Sequence, residues 1–207
     1  MSKYGFRDGV FNVRNLQLEQ KKLGVDTFPN VISSATLLKR MDASGTAAAT
    51  LATTFDSPRA ISVTNAMGAT AERAMNLVIK GYDSEGNYNE EILSLSTSAT
   101  GRTVGNVAFA QVTSVVGAVS TLGYGTYATV DIKLSDKFGL KEYCPTQDDV
   151  LNVDMFYSTS TGRSHTSSTI PAGFNSTYNT VDLSALGVIG STVQVKYLSK
   201  FQDRKNK

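Results

Sequence analysis

Short runs in which apolar and polar residues alternate, separated by turn residues, constrain the fold of this chain more than any other feature. Within Thr126–Leu134, every second residue from Ala128 to Leu134 is apolar. Successive side chains of a β-strand point to opposite faces, so this period of two predicts a strand with one buried face and one wet face. Ser191–Leu198 repeats the pattern near the end of the chain.

The clearest local prediction is a β-hairpin in the middle of the chain. Ala74–Tyr82 and Tyr88–Ser96 both have the composition and alternation of strands, and Asp83–Asn87 between them is rich in turn residues. Gly86 stands where the turn needs a positive φ, which glycine adopts without steric cost. The two strands are therefore expected to pair in antiparallel fashion.

Strand and turn signals recur every 8–12 residues, and no helical pattern of 10–15 residues alternates with them. We predict an all-β fold, an antiparallel β-sandwich or jelly-roll-like domain. Turns are expected at Gly123–Gly125 and Ser135–Leu140, and a long loop over Ser158–Asn175. Besides the hairpin, strands are predicted at Arg59–Asn65, Thr103–Val107, Ala110–Val119, Thr126–Leu134, Val150–Tyr157, Tyr178–Leu183 and Ser191–Leu198.

Residues 1–57 lack such a pattern and are predicted to form an extended N-terminal arm and linker, with the β-sandwich domain at 58–207. Within the arm, Asn15–Leu23 fits a short helix or an extended segment, and Val31–Met41 fits a strand. Asp42–Phe55 is rich in Ala and Thr and fits a linker or a strand laid over a surface. The short basic tail Lys196–Lys207 is predicted to be a solvated end; an electrostatic anchor is the alternative.

Composition limits the possible partners. The 207 residues carry a net charge of +2, without the clustered basic excess of a nucleic-acid-binding domain. The N-terminal residues form no apolar leader, and no apolar run approaches the roughly 18–20 residues that span a bilayer. We therefore expect a protein made in a cytoplasm, without nucleic-acid or membrane partners.

Residues that could carry acid–base catalysis are few. His165 is the single histidine, and its Ser/Thr-rich surroundings predict that it lies in a solvent-exposed loop. A catalytic base would need a fixed position, which such a loop does not supply. The carboxylates Glu90 and Glu91, like Asp148 and Asp149, are adjacent in sequence. Neighbours on a strand point to opposite faces, so neither pair predicts a two-carboxylate site. We expect no catalytic residues and no enzyme activity.

Metal and cofactor signals are equally sparse. Asp83–Asn89 places oxygen ligands at alternate positions, but it lacks the spacing of a calcium-binding loop and fits a plain turn better. Cys144 is the only cysteine and is predicted to be a buried or half-buried structural residue. No phosphate-binding glycine motif precedes a helix. We predict no metal and no cofactor.

The hairpin core Asn76–Leu95 and the segments after it resemble a pattern of tailed-bacteriophage virion proteins. The matching segments are Val107–Val115, Asp136–Leu140 and Asp149–Val153, so the resemblance spans roughly Pro58 to Tyr197. It implies a virion structural protein, similar to the capsid decoration (cement) proteins. Such proteins are commonly β-sandwiches and homo-oligomers, with trimers favoured, and they bind the major capsid protein or other virion proteins.

The leading hypothesis is a capsid-stabilising protein that bridges capsid subunits on the outer head shell. In this role residues 1–57 are expected to order on binding and to bury Leu16, Leu18, Phe28, Val31 and Ile32. A neck, tail or head-fibre component is the alternative. A carbohydrate-binding β-sandwich is a more distant one, because the chain has no Trp, the residue that sugar sites usually include.

Overall fold

The fold is all-β and sandwich-like, as predicted. A computed structural model describes residues 21–31, 37–42, 47–66, 75–95, 101–119, 129–159, 162–168, 173–186 and 191–200. Two short 3-10 turns, Gln147–Asp149 and Ser184–Leu186, accompany the strands. The strands are β1 (Lys21–Val31), β2 (Leu37–Asp42), β3 (Ala47–Ala66), β4 (Met75–Tyr82), β5 (Tyr88–Ser94), β6 (Arg102–Val104), β7 (Phe109–Val119), β8 (Thr129–Gly139), β9 (Val150–Thr159), β10 (Gly162–Ser168), β11 (Phe174–Asn175), β12 (Thr180–Asp182) and β13 (Ser191–Lys200).

The smaller sheet has four antiparallel strands in the order β1-β13-β9-β10. Its inner face follows the alternation read from the sequence. Along β13 every second residue from Ser191 to Ser199 is buried, and the residues between them are half-buried. Val193, Val195 and Tyr197 are the apolar members of that inner row.

The larger sheet has nine antiparallel strands and follows the order β11-β12-β8-β3-β7-β4-β5, with β2 paired to β8 and β6 paired to β3. The long strand β3 connects its two halves. The first half of β3 pairs with β7, the second half pairs with β8, and Arg59 pairs with both. This change of partner makes the sheet curl around its own apolar side chains.

Two apolar clusters form the core. The first lies inside the larger sheet and consists of Ile61, Val63, Leu77, Ile79, Leu93, Leu95, Phe109, Val112, Val115, Val130 and Ile132. The second lies between the four-stranded sheet and the β8–β12 end of the larger one. It consists of Phe28, Phe138, Leu140, Cys144, Val150, Val153, Met155, Val181, Leu183, Val193, Val195 and Tyr197.

Arg59 is buried where the two sheets meet. Its side chain is 1% exposed, and the guanidinium carbon lies 4.4 Å from the centroid of the Phe138 ring. Nη2 donates to the Pro29 carbonyl oxygen at 2.6 Å, and Nη1 lies 3.9 Å from Oδ1 of the buried Asp136. Burial lowers the pKa of Arg59, while the charges of Asp56 and Asp136 oppose that shift. The cation thus joins β1, β3 and β8.

A second buried polar contact joins β1 to β13. The Tyr197 hydroxyl donates to Oδ2 of Asp26 at 2.8 Å, and the backbone N–H of Lys141 donates to the same oxygen at 2.8 Å. The ring of Tyr197 lies over Gly24, where a Cβ would stand only 2.7 Å from the ring. Burial raises the pKa of Tyr197, and the negative charge of Asp26 adds to that shift.

The predicted arm is wrong for its described part. β1 pairs along its length with β13, β2 pairs with β8, and β3 runs through the boundary placed at residue 57. Phe28 is not available to a partner, because it is buried with its ring centroid 4.6 Å from that of Phe138. Val31 ends β1, whereas Leu16, Leu18 and Ile32 lie outside the described residues. The partners of these strands are far away in sequence, so local patterns did not reveal the pairing.

Three further local predictions are corrected. The turn expected at Ser135–Leu140 is strand through Gly139, because Lys137–Gly139 pair with β12. Within the loop expected at Ser158–Asn175, residues Gly162–Ser168 form β10. The basic tail begins only after Lys200, since β13 extends that far. The turn at Gly123–Gly125 and residues 201–207 lie outside the described residues.

Candidate functional site

The two carboxylate pairs are separated as predicted. In β5, the exposed carboxylate of Glu90 lies 3.5 Å from the ammonium group of Lys80. The side chain of Glu91 points to the opposite face of the sheet. The Glu91 carboxylate accepts the backbone N–H of Asn106 at 2.6 Å and that of Val107 at 3.3 Å. Burial raises the pKa of Glu91. The carboxylate therefore holds the loop before β7 against β5, a structural role.

Asp148 and Asp149 lie in the 3-10 turn before β9. Asp148 is exposed, and Asp149 is buried. Oδ1 of Asp149 lies 2.5 Å from the Lys21 ammonium, and its Oδ2 accepts a hydrogen bond from the Thr146 hydroxyl at 2.8 Å. This ion pair fastens the start of β1 to the turn.

His165 lies in a strand, not in the loop that the Ser/Thr-rich sequence predicted. It belongs to β10, opposite Phe156 of β9 in the register. The small polar residues around it are compatible with a strand at the edge of a sheet. Whether such a segment forms a strand depends more on its pairing with a neighbour than on its composition.

Cys144 is buried and free, as predicted. Its backbone N–H donates to Oδ1 of Asn179 at 2.9 Å, and its thiol donates to the Thr146 carbonyl oxygen at 3.3 Å. Burial raises the pKa of Cys144 to about 11, and the negative charge of Asp149 adds to the shift. A thiol that stays protonated is a poor nucleophile.

We expect the native thiol to react with iodoacetamide at pH 8 about a hundredfold more slowly than an unperturbed cysteine, because the thiolate is the reactive form. The chain has a single cysteine, so mass spectrometry of the whole protein reads the reaction directly. The same chain in urea is the control and should react at the ordinary rate. Equal rates in the two conditions would contradict the burial of Cys144.

The turn Asp83–Asn87 is a hydrogen-bonded hairpin turn. Oδ1 of Asp83 accepts the backbone N–H groups of Glu85 and Asn87, each at 2.9 Å. Gly86 has a φ of +81°, as its place in the sequence predicted. In the described residues, no group of three or more His, Cys, Asp or Glu side chains is placed to hold a metal ion. No helix within the same ranges is long and apolar enough to cross a membrane.

An aliphatic surface, formed by Leu23, Val25 and Leu198, lies on the outer face of the four-stranded sheet. Leu23 is 57% exposed and Val25 is 48% exposed. Leu198 stands opposite Leu23 in the register, and directly opposed residues share a face of the sheet. Leu151 of β9 adds another exposed leucine to this sheet. Sequence reasoning missed this surface because it assigned β1 to an arm.

A second surface, the hairpin surface, is formed by Tyr82, Tyr88 and Ile92 on the outer face of β4 and β5. Ile92 is 62% exposed and Tyr88 is 54% exposed. Tyr82 and Tyr88 are opposite each other in the register, with their rings in an edge-to-face arrangement at 5.9 Å between centroids. Exposed aromatic and branched residues that gather in this way are typical of protein-binding surfaces.

A polar cleft of about 130 Å³ lies where three turns converge. One wall is the β4–β5 turn, with Ser84 and Glu85. Lys141 and Tyr178 form another part of the lining, and Gly139 also lines the cleft. A Cβ on Gly139 would stand 2.8 Å from that of Ala108, so glycine is required for this close packing.

Asn179 fixes the second part of the lining of the polar cleft. It has a positive φ of 52°, and its Nδ2 donates to the carbonyl oxygens of Leu140 and Glu142 at 3.0 and 2.9 Å. Its Oδ1 accepts the Cys144 N–H described above. Asparagine adopts a positive φ more readily than most residues, which explains its place in this turn. Lys141 and Tyr178 are therefore held on ordered backbone.

Comparison with known proteins identifies no family. No family model matches the chain, and no curated protein matches it. Among solved structures, one described as a "putative secreted protein" from Parabacteroides distasonis aligns over 93% of this chain and 88% of its own, at 7% identity. The TM-score of that alignment is 0.24, too low to support any argument about fold or function.

Proposed function

We propose that this protein is a non-enzymatic structural component of a tailed-bacteriophage virion. In this proposal it is a decoration (cement) protein that binds the major capsid protein on the outer head shell and bridges neighbouring subunits. The sequence resemblance suggests this class, and the exposed apolar surfaces support binding to other proteins.

The observation that carries the proposal is the inverted pattern of β1. In the first part of the strand the apolar residues Leu23 and Val25 face outward, whereas Gly24 and Asp26, at the alternate positions, are buried. A half-buried strand normally places its apolar residues inward. Apolar side chains kept on the outside while a carboxylate is buried are better explained by a partner surface than by folding.

Bridging needs two contact surfaces, and the chain offers two on different sheets. The aliphatic surface lies on the four-stranded sheet, and the hairpin surface lies on β4 and β5 of the larger sheet. Two linked contacts bind more tightly than either alone, because the second becomes intramolecular once the first has formed. Contacts to two subunits would also hold the joint between them closed.

The test is binding to capsids assembled without this chain, measured by co-sedimentation. Val25→Gln in the aliphatic surface and Ile92→Gln in the hairpin surface should each weaken binding about tenfold, the effect of losing about 1–2 kcal/mol of contact energy. Thr27→Gln and Ser94→Gln are matched controls, since each is an exposed polar residue two positions further along the same strand.

Unchanged binding by both surface variants would contradict the proposed contacts. Cryo-electron microscopy of the virion separates the alternatives. Many symmetry-related copies on the head surface are expected for a decoration protein. Copies confined to the portal vertex or the tail would assign the chain to the neck, tail or fibre instead.

A further inference from the structure

The side chains of Lys137 and Asn106 meet in the loop between β6 and β7. Nζ of Lys137, a residue of β8, donates to Oδ1 of Asn106 at 2.5 Å, and both residues are half-buried. A C=O bond is about 1.2 Å long, so Nζ lies at most about 3.7 Å from the amide carbon Cγ of Asn106. Reacting atoms about 3–3.5 Å apart define a near-attack geometry. The lysine amine is therefore within reach of this carbonyl carbon.

The carboxyl group of Glu91 lies beside the same asparagine. It accepts the backbone N–H of Asn106 at 2.6 Å and that of Val107 at 3.3 Å. A Cβ on Gly105 would overlap this carboxyl group, so the glycine leaves the room that the group occupies. Burial raises the pKa of Glu91, while its two backbone donors and the charge of Lys137 oppose that shift. A carboxyl group whose pKa moves toward neutrality can both take up and release a proton.

An amine, an amide carbon and a carboxyl group in one cluster are the components of an intramolecular amide transfer. We propose that Lys137 and Asn106 form an isopeptide bond and that Glu91 carries the protons. This modification site goes beyond the structural role proposed above and does not depend on it.

The step balances without an oxidant or a reductant. The Glu91 carboxylate takes one proton from the Lys137 ammonium, and the neutral amine attacks Cγ of Asn106 to form the Nζ–Cγ bond. A second proton passes from Nζ through Glu91 to Nδ2, and the Cγ–Nδ2 bond then breaks to release ammonia. The first proton stays on Glu91 until solvent removes it. The chain thus loses one molecule of ammonia and gains one internal amide bond.

The three groups come from separate segments that the fold holds in place. Glu91 belongs to β5, which pairs with β4, and Lys137 belongs to β8, which pairs with β12 at this residue. The backbone N–H of Gly105 donates to the Ile61 carbonyl oxygen at 2.9 Å and fixes the loop to β3. Groups held in this way react without a further loss of rotational freedom. The new bond would join positions 31 apart and tie β8 to the loop before β7.

The test is the mass of the full chain, purified in its folded state and measured by mass spectrometry after denaturation. It should be lighter than the sequence requires by about 17 Da, the mass of one ammonia. A tryptic peptide with Asn106 should also be joined to one with Lys137. Lys137→Arg and Asn106→Ala should each have the full mass, because each lacks one of the joined groups. Lys133→Arg, which changes another half-buried lysine of β8, is the matched control and should keep the loss.

Glu91→Gln separates proton transfer from a merely structural role. Glutamine keeps an oxygen for the Asn106 N–H but cannot exchange a proton, so the joined fraction in freshly expressed protein should fall at least tenfold. A native chain of full mass overturns the proposal. A loss of ammonia that persists in Asn106→Ala also overturns it, because another asparagine must then be the source. An undiminished joined fraction in Glu91→Gln would contradict the role of Glu91.

Discussion

Replacing Arg59 by methionine is expected to lower the free energy of unfolding by about 3–5 kcal/mol, the usual cost of removing one partner of a buried ion pair. The change removes a cation 3.9 Å from Asp136, whose carboxylate is 1% exposed. It also removes the donor to the Pro29 carbonyl oxygen, so β1 loses its bond to β3. Urea denaturation followed by circular dichroism measures the loss.

Two variants test the physical reason for this cost. Arg59→Lys should not restore stability, because an ammonium cannot reach Pro29, Asp56 and Asp136 with the planar fork of a guanidinium. The double variant Arg59→Met with Asp136→Asn should recover part of the loss, since no buried anion then remains at that position. Arg102→Met is the control, because Arg102 is exposed. Equal stability of the Arg59→Met and Arg102→Met proteins would contradict the buried junction.

Replacing Gly81 by alanine is expected to destabilise the fold by about 3 kcal/mol, at the upper end of the usual cost of overpacking. The new Cβ would overlap the backbone oxygen of Gln111 and would lie 2.9 Å from the Phe109 ring. The first of these is main chain on the neighbouring strand, so relief requires β7 to move. The register between β4 and β7 already shifts between Lys80 and Gly81.

Gly86→Ala is the matched control for this prediction. Gly86 has a positive φ, and no atom lies within 4 Å of an added Cβ. Its replacement by alanine should lower the free energy of unfolding by only about 1 kcal/mol, because the strained backbone conformation is then the sole unfavourable effect. Thermal unfolding of both variants gives the comparison. A Gly81→Ala protein no less stable than the Gly86→Ala protein would show that β4 and β7 do not pack this closely.

Local signals predicted the hairpin well because all of its information lies within about twenty residues. The alternation of Ala74–Tyr82, the glycine at position 86 and the polar turn sufficed to place β4 and β5. β9 and β13 were likewise found from alternation alone. In each case the side chains that decide the structure are neighbours in the sequence.

The parts that could not be predicted depend on distant partners. Arg59 would be expected at the surface by its charge, and its burial depends in part on Phe138 and Asp136, more than seventy residues away in the sequence. Asp26 is buried because Tyr197 donates to it across 171 positions. The polar cleft is lined by turns from three separate segments, so no single sequence motif predicts it.

The pairing of the first and last described strands has a consequence for synthesis on the ribosome. Lys21 stands opposite Lys200, and β13 lies between β1 and β9 in the four-stranded sheet. With roughly 160 residues between β1 and β13, translation at about 5–20 residues per second leaves β1 waiting for roughly 8–30 s. During that time Leu23, Val25 and Phe28 have no native sheet to join. The nascent chain therefore exposes the unpaired strand β1 to chaperones until β13 has emerged from the ribosome.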